Sequence, residues 1–449
     1  MKDSNFLKEN NARHFWHPMT SPADSQANPP RIIVESEGVR IIDIDGNSVV
    51  DGVGGLWNVN LGYSCQLVKD AIAKQLDVLP YYSTFRGTSN DAVIELSYEL
   101  ASFFEPDGLS RAFFTSGGSD SVETSLRLAR QYHKLRGEPG RVKFLSLKKG
   151  YHGTHIGGAS VNGNANFRTA YEPLLPGCYH VPAPITYRNP FNETDPEKLA
   201  QLCAAAMEDE INFQGANTIA AMIMEPILGA GGVVAPHKTF MPLVREICDR
   251  HGILLIADEV ITAFGRTGAW SGSRLWGVQP DMMCTAKAIT NGYFPFGAVM
   301  MGEKVVDVFE SSDKAAIGHG YTYSGHPVGA AAALVCLEET VKQDVVVNAA
   351  ARGTQMFDGF NRLQQKHDMI GDVRGGHGLM TAIELVADRG TKQPVGKDKV
   401  AIIQDVAYEN GAMIRVSGNN LILSPSLILT EADVNTIINA IDAGIAQAS

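Results

Sequence analysis

Three features of the 449-residue chain predict an α/β fold built on a parallel-rich central sheet. Short continuous apolar runs recur between residues 111 and 260, amphipathic segments separate them, and those segments end at glycine. A strand covered by helices on both faces has no polar side, so an unbroken apolar run is its signature. Strands of that kind alternating with helices make a parallel sheet.

Near the start of the chain, "VRIIDIDGNSVVDGVGG", from Val39, reads as a hairpin turned at Asp45-Gly46-Asn47, because Asp-Gly and Gly-Asn steps tolerate the positive φ of tight turns. "RAFFTS" (111–116), "KFLSL" (143–147), "IAAMIMEP" (219–226) and "ILLIADEV" (253–260) read as buried strands. Between them, "SDSVETSLRLARQYHKLRG" (119–137) and "FMPLVREICDRHG" (240–252) read as helices stopped by a terminal glycine. Beyond about residue 330 the pattern changes to helix, short strands in "DVRGGHGLMTAIEL" and "LILSPSLIL", and a last amphipathic helix. The expected organisation is a large domain over 61–328, with 1–60 and 329–449 joining in a smaller α+β domain.

Composition narrows the function. With 44% hydrophobic and 19% charged residues the chain suits a large globular enzyme. Its net charge of −11 offers no basic footprint for a nucleic-acid partner. The six cysteines form no CxxC pair and read as buried free thiols of a reducing compartment. The longest apolar stretch, "VGAAAALVCL" from Val328, falls well short of the ~20 residues that span a bilayer, and the N-terminus has no signal-like apolar core, so a soluble cytoplasmic protein is expected.

Ligands of open α/β sheets bind beyond the carboxyl ends of the strands, which directs attention to the residues just after each run. After the first comes "TSGGSDS", where Gly117 and Gly118 permit a tight bend and Ser119 can cap the next helix; it is an ordinary cap or a phosphate site. No GxGxxG spacing supports a nicotinamide cofactor. Asp258 and Glu259 come directly after "ILLIA", where a carboxylate is a helix cap, half of an ion pair, or the partner of a bound pyridinium N–H. Lys287, in "TAKAITNGYFPFGAVM", is an exposed loop cation or a desolvated amine suited to Schiff-base formation. Tyr151 in "GYHGTHIGG" could cover a flat ring, and metal binding competes for His152 and His155, with no cysteine or carboxylate nearby in sequence to complete a site. A phosphate cradle, a strand-end acid and a loop amine are together what pyridoxal phosphate demands.

Over nearly its whole length the sequence resembles the class III pyridoxal-phosphate aminotransferases of fold type I. The resemblance is carried by "LLIADEVITAFGRTGAWSGSRLWGVQPDMMCTAKAITNGYFPFGAVM", "DGVGGLWNVNLGY", "FFTSGGSDSVETSLRLAR", "GYHGTHIGG", "EPILGAGGV" and "GHGYTYSGHPVGAAAAL". "HFWHPMT" and "GLW" are most similar to the ω-transaminase branch, which acts on amines or ω-amino acids with pyruvate as the expected keto acid. The resemblance implies that Lys287 is the Schiff-base lysine and proton carrier and Asp258 the pyridinium partner. It also implies that Gly118 and Ser119 hold the phosphate, Tyr151 and Val260 cover the two ring faces, and Glu225 lies near the ring's phenolic oxygen. Thr322 would reach the phosphate in a neighbouring subunit, making a homodimer part of the site, with a tetramer as the larger alternative. Met19, Trp57 and Phe85 would line the substrate pocket, and Arg415 would be a mobile partner for a substrate carboxylate. No metal is implied.

Three positions depart from the family pattern: Asp120 in place of the usual Glu, one extra residue in "RGGHGLM" around His377, and Arg86 after Phe85, either an interface ion pair or an attraction for acidic substrates. Two other functions compete with transamination. One is another enzyme of the same fold, an aminomutase, racemase or decarboxylase; the second is a non-catalytic sensor, which the pairing of Asp258 with Lys287 disfavours.

Overall fold

The structure is a computed structural model that describes residues 3–313 and 315–449. Strands β1 (Ile33–Glu37), β2 (Arg40–Asp43) and β3 (Ser48–Asp51) form an antiparallel unit with the expected hairpin between β2 and β3. Its turn is tied by the Asp43 carboxylate, which accepts from the backbone N–H groups of Asp45 at 3.0 Å and Asn47 at 2.9 Å. Gly46 takes a φ of 86° there, which a side chain would resist.

The central sheet has seven strands: β4 (Leu109–Thr115), β5 (Lys143–Leu147), β6 (Cys178–Val181), β7 (Ile219–Met224), β8 (Leu254–Asp258), β9 (Met282–Thr285) and β10 (Gly297–Gly302). Their order is β4-β10-β9-β8-β7-β5-β6. From β9 to β6 all neighbours are parallel, while β10 runs against both β9 and β4. Every residue of β7 and β8 is buried, as their unbroken apolar runs require. Three of these strands are not visible in the sequence pattern. "CYHV" is short and half polar, "MMCT" is short, and "GAVMMG" is bracketed by glycines, so none stands out as an apolar run. Because β10 reverses direction between β9 and β4, the carboxyl ends of β4, β5, β7, β8 and β9 share one edge of the sheet.

Both chain ends meet beside that sheet. Strand β11 (Ile370–Arg374) pairs with β12 (Thr381–Asp388), which also pairs with the short β13 (Gln393–Pro394) and with the later β16 (Asn420–Leu423). Before β16 come β14 (Ala412–Met413), which lies parallel to β3, and β15 (Arg415–Ser417), antiparallel to β16. Helices Val345–Lys366 and Glu431–Ala448 cover this sheet with Met356, Phe360, Ile437 and Ile441, all buried in one apolar cluster. Among the described residues no helix is long and apolar enough to cross a membrane.

Helix Val345–Lys366 approaches the central part through two glycines. A Cβ on Gly353 would collide with the Gly378 carbonyl oxygen, and one on Gly378 would collide with that of Arg266. Both neighbours are backbone and cannot swing away. Gly353→Ala should therefore cost about 1–3 kcal/mol of stability, as overpacking of a tight contact does. A thermal melt checks this: a clear fall in Tm is expected, and an unchanged Tm would mean that the helix is free to slide.

Candidate active site

At the shared strand edge lies a cavity of about 340 Å³. Residues beyond the ends of β4, β5, β7, β8 and β9 line it, among them Gly118, Tyr151, Glu225, Asp258 and Lys287. Topology alone thus gathers side chains that lie far apart along the sequence, from Gly118 to Lys287.

The segment after β4 turns into helix Gly118–Leu135. Ser119 does not cap this helix, contrary to the sequence expectation: the cap position is Gly117, in extended conformation and with no side-chain hydrogen bond. Ser119 is the second helical residue, and its Oγ accepts instead from the Thr154 N–H at 3.1 Å. The N–H groups of a first helical turn lack intrahelical acceptors, so an uncapped start facing a cavity is suited to an anion. Gly117 leaves open space where a Cβ would stand, with no atom within 4 Å. The shortened Asp120 still bridges the turn, accepting from Ser116 N–H at 3.0 Å and meeting His155 Nε2 at 2.6 Å.

Three buried acids lie at the strand ends, and their surroundings separate them. Glu259 accepts from the Thr262 hydroxyl, the Gly272 N–H at 2.8 Å, and the Ser273 N–H and hydroxyl at 2.6 Å each. Four donors fill its oxygens, and it serves the start of the short helix Gly272–Leu275 rather than the cavity. Glu225 accepts from the N–H groups of Tyr151 at 2.9 Å and Gly229 at 2.8 Å. Burial first of all pushes its carboxyl up to about 7, with Asp258 adding to the rise and His152 opposing it. Asp258 accepts at Oδ1 from the Val260 N–H at 3.2 Å, and its Oδ2 meets His152 Nδ1 at 2.8 Å. The expectation that His152 and His155 lack a carboxylate neighbour is thereby corrected: folding gives them Asp258 and Asp120.

Lys287 begins a single 3₁₀ turn, Lys287–Thr290, with a φ of 52° that a non-glycine residue adopts only under constraint. The constraint is visible. Gly292 N–H donates to the Lys287 carbonyl at 3.2 Å, and Asn291 is locked on both sides, accepting from Leu61 N–H and donating to Gly62 O at 2.7 Å each. The amine opens into the cavity in otherwise closed surroundings, and burial lowers it to about 8 against the opposing pull of Asp258 and Glu225. Arg415, on β15, is felt by both Lys287 and Tyr151, and burial lowers its own affinity for a proton. Its guanidinium makes no hydrogen bond or ion pair among the described residues.

The cavity does not collect every residue the sequence singles out. Val260 lines it, against the position where Gly118 would carry a Cβ. Trp57, expected on the substrate wall, is instead 1% exposed within the main apolar cluster, and its neighbour Asn58 lines the cavity. Met19 and Phe85 are 67% and 53% exposed, and Thr322 is also exposed, its carbonyl accepting from Tyr81 OH at 2.7 Å; none of the three lines this cavity. Arg86 is exposed without an ion pair among the described residues, and His377 packs edge-on against Trp276 at 5.0 Å. Phe294 and Phe296 line the cavity, which the sequence reading missed. Their signal is the aromatic pair directly after the lysine turn, in "NGYFPFG".

The lowered amine gives a test of the geometry itself. Since Lys287 becomes neutral above about 8 rather than above its ordinary 10.5, its reaction with an aldehyde should quicken about tenfold per unit up to pH ~8 and then level. Labelling by pyridoxal as a function of pH checks this, and a rise that continues to pH ~10 would mean an exposed amine.

Comparison with known proteins places the chain. The model of the class-III aminotransferases matches residues 21–445. The chain is 34% identical over 426 residues to the putrescine–pyruvate aminotransferase of Pseudomonas aeruginosa, covering 95% of this chain and 92% of that protein. It is 35% identical over 441 residues to the taurine–pyruvate aminotransferase of Bilophila wadsworthia, covering 96% and 94%. Among solved structures, a PLP-bound amine transaminase from an uncultivated Pseudomonas species aligns with a TM-score of 0.95 at 46% identity, over 97% of this chain and 99% of that one. An (S)-enantioselective ω-transaminase from Thermomicrobium roseum aligns with a TM-score of 0.96 at 35% identity, over 100% and 99%. The chain therefore belongs to the class-III aminotransferase family and is a pyridoxal-phosphate-dependent enzyme of fold type I that transfers an amino group to a keto acid.

Proposed function

We propose that this enzyme takes the amino group from a primary amine or ω-amino acid and delivers it to pyruvate, with Lys287 and Asp258 as its catalytic residues. The observation that carries this reading is the single cavity in which an amine lowered to about 8, a buried carboxylate and an uncapped helix start converge. The putrescine–pyruvate and taurine–pyruvate relatives and the amine transaminase of closely similar fold support this donor and acceptor.

The residues fit the cofactor. The open space at Gly117 and the free N–H groups of helix Gly118–Leu135 suit a phosphate, and Asp258 presents an acceptor for a ring N–H. Bound pyridoxal phosphate supplies an aldehyde carbon and an electron-withdrawing ring. Gly118 and Ser119 hold its phosphate end in this reading, Tyr151 and Val260 cover the ring, and Glu225 faces the ring oxygen. Lys287 Nζ would hold the aldehyde end, and as a free amine it would take up the proton of the carbon that bears the amino group and give it back. A nucleophile and proton carrier in one residue explains why the amine is partly desolvated. Lys287→Ala should keep the fold and lose turnover by orders of magnitude, as steady-state assay with an amine and pyruvate will show.

Arg415 is the acceptor's anchor. A guanidinium with no carboxylate of its own, placed beside Tyr151 and Lys287, can pair with the carboxylate of a keto acid through two parallel hydrogen bonds. An uncharged amine gains nothing from it, so the side chain must be free to withdraw. Arg415→Ala should raise KM for pyruvate strongly and leave the half-reaction with an uncharged amine nearly intact, and Arg415→Lys should rescue only partly because lysine lacks the planar fork. Stopped-flow measurement of each half-reaction decides this; an unaffected pyruvate half-reaction would move the anchor elsewhere, with Arg86 the next residue to test.

The exposed Met19, Phe85 and Thr322 belong, in this reading, to the cavity of a second subunit in a homodimer, with 61–328 as the cofactor-binding domain and the two chain ends as the smaller one. Thr322→Ala should then weaken cofactor retention by about 1.5–3 kcal/mol, the worth of one hydrogen bond to a charged group. Equilibrium dialysis measures it, and wild-type retention would confine Thr322 to its own subunit.

A further inference from the structure

The C-terminal sheet meets the central part of the chain through one face, and an arginine stands at each edge of it. The strand order is β11-β12-β16-β15, and the register sets Arg374, Ala382, Ile422 and Arg415 side by side in one row across the sheet. Residues in such a row leave the sheet on the same side. Ala382 and Ile422, between the two arginines, are buried in the apolar cluster that includes Leu145, Met222 and Leu255 of β5, β7 and β8. Their chain neighbours Ile383 and Leu421 belong to the other cluster, under the covering helices. Arg374 and Arg415 therefore flank the face that is turned to the central sheet.

Arg374 is bonded on both sides of that contact. Its Nε donates to the Gly232 carbonyl at 2.6 Å, its Nη1 to Asp372 Oδ2 at 2.7 Å and Glu384 Oε2 at 2.9 Å, and its Nη2 to Asn420 Oδ1. A Cβ on Gly232 would come within 3.0 Å of Nη2, so the glycine is what lets the fork lie on the backbone. Gly232 closes a turn in which its own N–H and that of Val233 donate to the Gly229 carbonyl at 3.0 and 3.1 Å. The N–H of Gly229 donates in turn to Glu225, on the cavity wall, at 2.8 Å. On the sheet side, Asp372, Glu384, Asn420 and Ser417 form the neighbouring row on the same face, so the Asn420 bond takes hold of β16 opposite Ser417, two residues from Arg415. Arg188 adds a second tie from the central part, donating to Glu384 Oε1 at 2.6 Å. The Arg374 side chain is 12% exposed, so water competes little for these charge-assisted bonds. With two carboxylates in contact it is no vacant anion site.

We propose that Arg374 is a positioning residue for the keto acid: by joining β16 to the turn beside Glu225 it fixes how the C-terminal sheet is seated, and so the place from which Arg415 meets the substrate carboxylate. The sheet rests on the apolar pair Ala382 and Ile422, which give it a centre but no direction. Directional bonds at one edge supply the direction, and a rigid sheet carries it to the opposite edge. This role rests on Arg415 being the acceptor's anchor; the tie between Asn420 and Gly232 rests only on the bonds of Arg374.

Hydrogen exchange in the cofactor-loaded enzyme tests the tie. Arg374→Gln should speed exchange in peptides spanning 229–234 and 415–423, and Asn420→Ala, which keeps the arginine and its bond to Gly232, should speed only the second. Wild-type exchange at 415–423 in both variants would overturn the inference. Stopped-flow half-reactions test the role. Arg374→Gln should weaken the apparent affinity for pyruvate roughly three- to tenfold, the effect of one ordinary hydrogen bond, and change the half-reaction with an uncharged amine less than about twofold. Asn420→Ala should act in the same direction, and Arg374→Lys should restore only part, since a point charge cannot span the four acceptors. In an Arg415→Ala background, Arg374→Gln should add nothing further, because a positioning residue has no effect once the group it positions is gone. Equal losses in both half-reactions, or the same loss with Arg415 already removed, would overturn the positioning role. Were Arg415→Ala alone to leave the pyruvate half-reaction unaffected, the reading of Arg415 would fall, and the role of Arg374 with it, even with faster exchange at 415–423.

Discussion

A carboxylate at the buried end of a parallel strand is the constraint on which the rest of this enzyme turns. Asp258 is 4% exposed and stands at the close of β8, the middle of three fully buried strands. Such a group must be met by donors, and the fold supplies them from the backbone of Val260 and from His152. Its neighbour Glu259 is satisfied by four donors of its own and turned away, so one acid of the pair faces the cavity and the other holds the wall. Glu225, pushed up to about 7 by burial, adds a second acidic group whose charge varies near neutral pH. The amine of Lys287 lies in the field of both.

That arrangement needs a backbone that can present a lysine from a strained turn, and the means come from far along the chain. Asn291 locks the turn to residues Leu61 and Gly62. Arg266, completely buried, donates to the carbonyls of Leu379 and Pro425 and to Asn60 Oδ1, and so ties the first and last parts of the chain to the segment just beyond Asp258. Its guanidinium has no carboxylate in contact among the described residues, and burial lowers it to about 9. Strand β15, which carries Arg415, pairs with β16 in the C-terminal sheet.

The α/β class, the strands β5, β7 and β8 and the strand-end positions of Lys287 and Asp258 at the cavity are legible in the sequence because each leaves a local mark: an unbroken apolar run, or an ionisable residue where a run ends. Strands β9 and β10 are not, since four or six residues rich in methionine and glycine carry no period. Ser119 is misread as a cap because a Ser-Asp pair ordinarily caps a helix, and only the backbone reveals that Gly117 already holds that position. The burial of Trp57 is illegible for a different reason. The Trp57 φ is 66°, the backbone just before it is non-helical at Gly55 and Leu56, the indole lies in the core and Asn58 lines the cavity, and no side-chain pattern signals that local backbone. The partners of His152 and His155 are invisible because Asp258 and Asp120 lie far off in sequence and meet them only across the sheet edge.

That the amine just beyond β9 is the group that holds the cofactor is tested most directly by borohydride reduction of the cofactor-loaded enzyme and peptide mass mapping. The expected result is the mass of reduced phosphopyridoxyl on the peptide containing Lys287 and on no other. The same mass on Lys148, Lys149 or another lysine, with Lys287 unmodified, would contradict it.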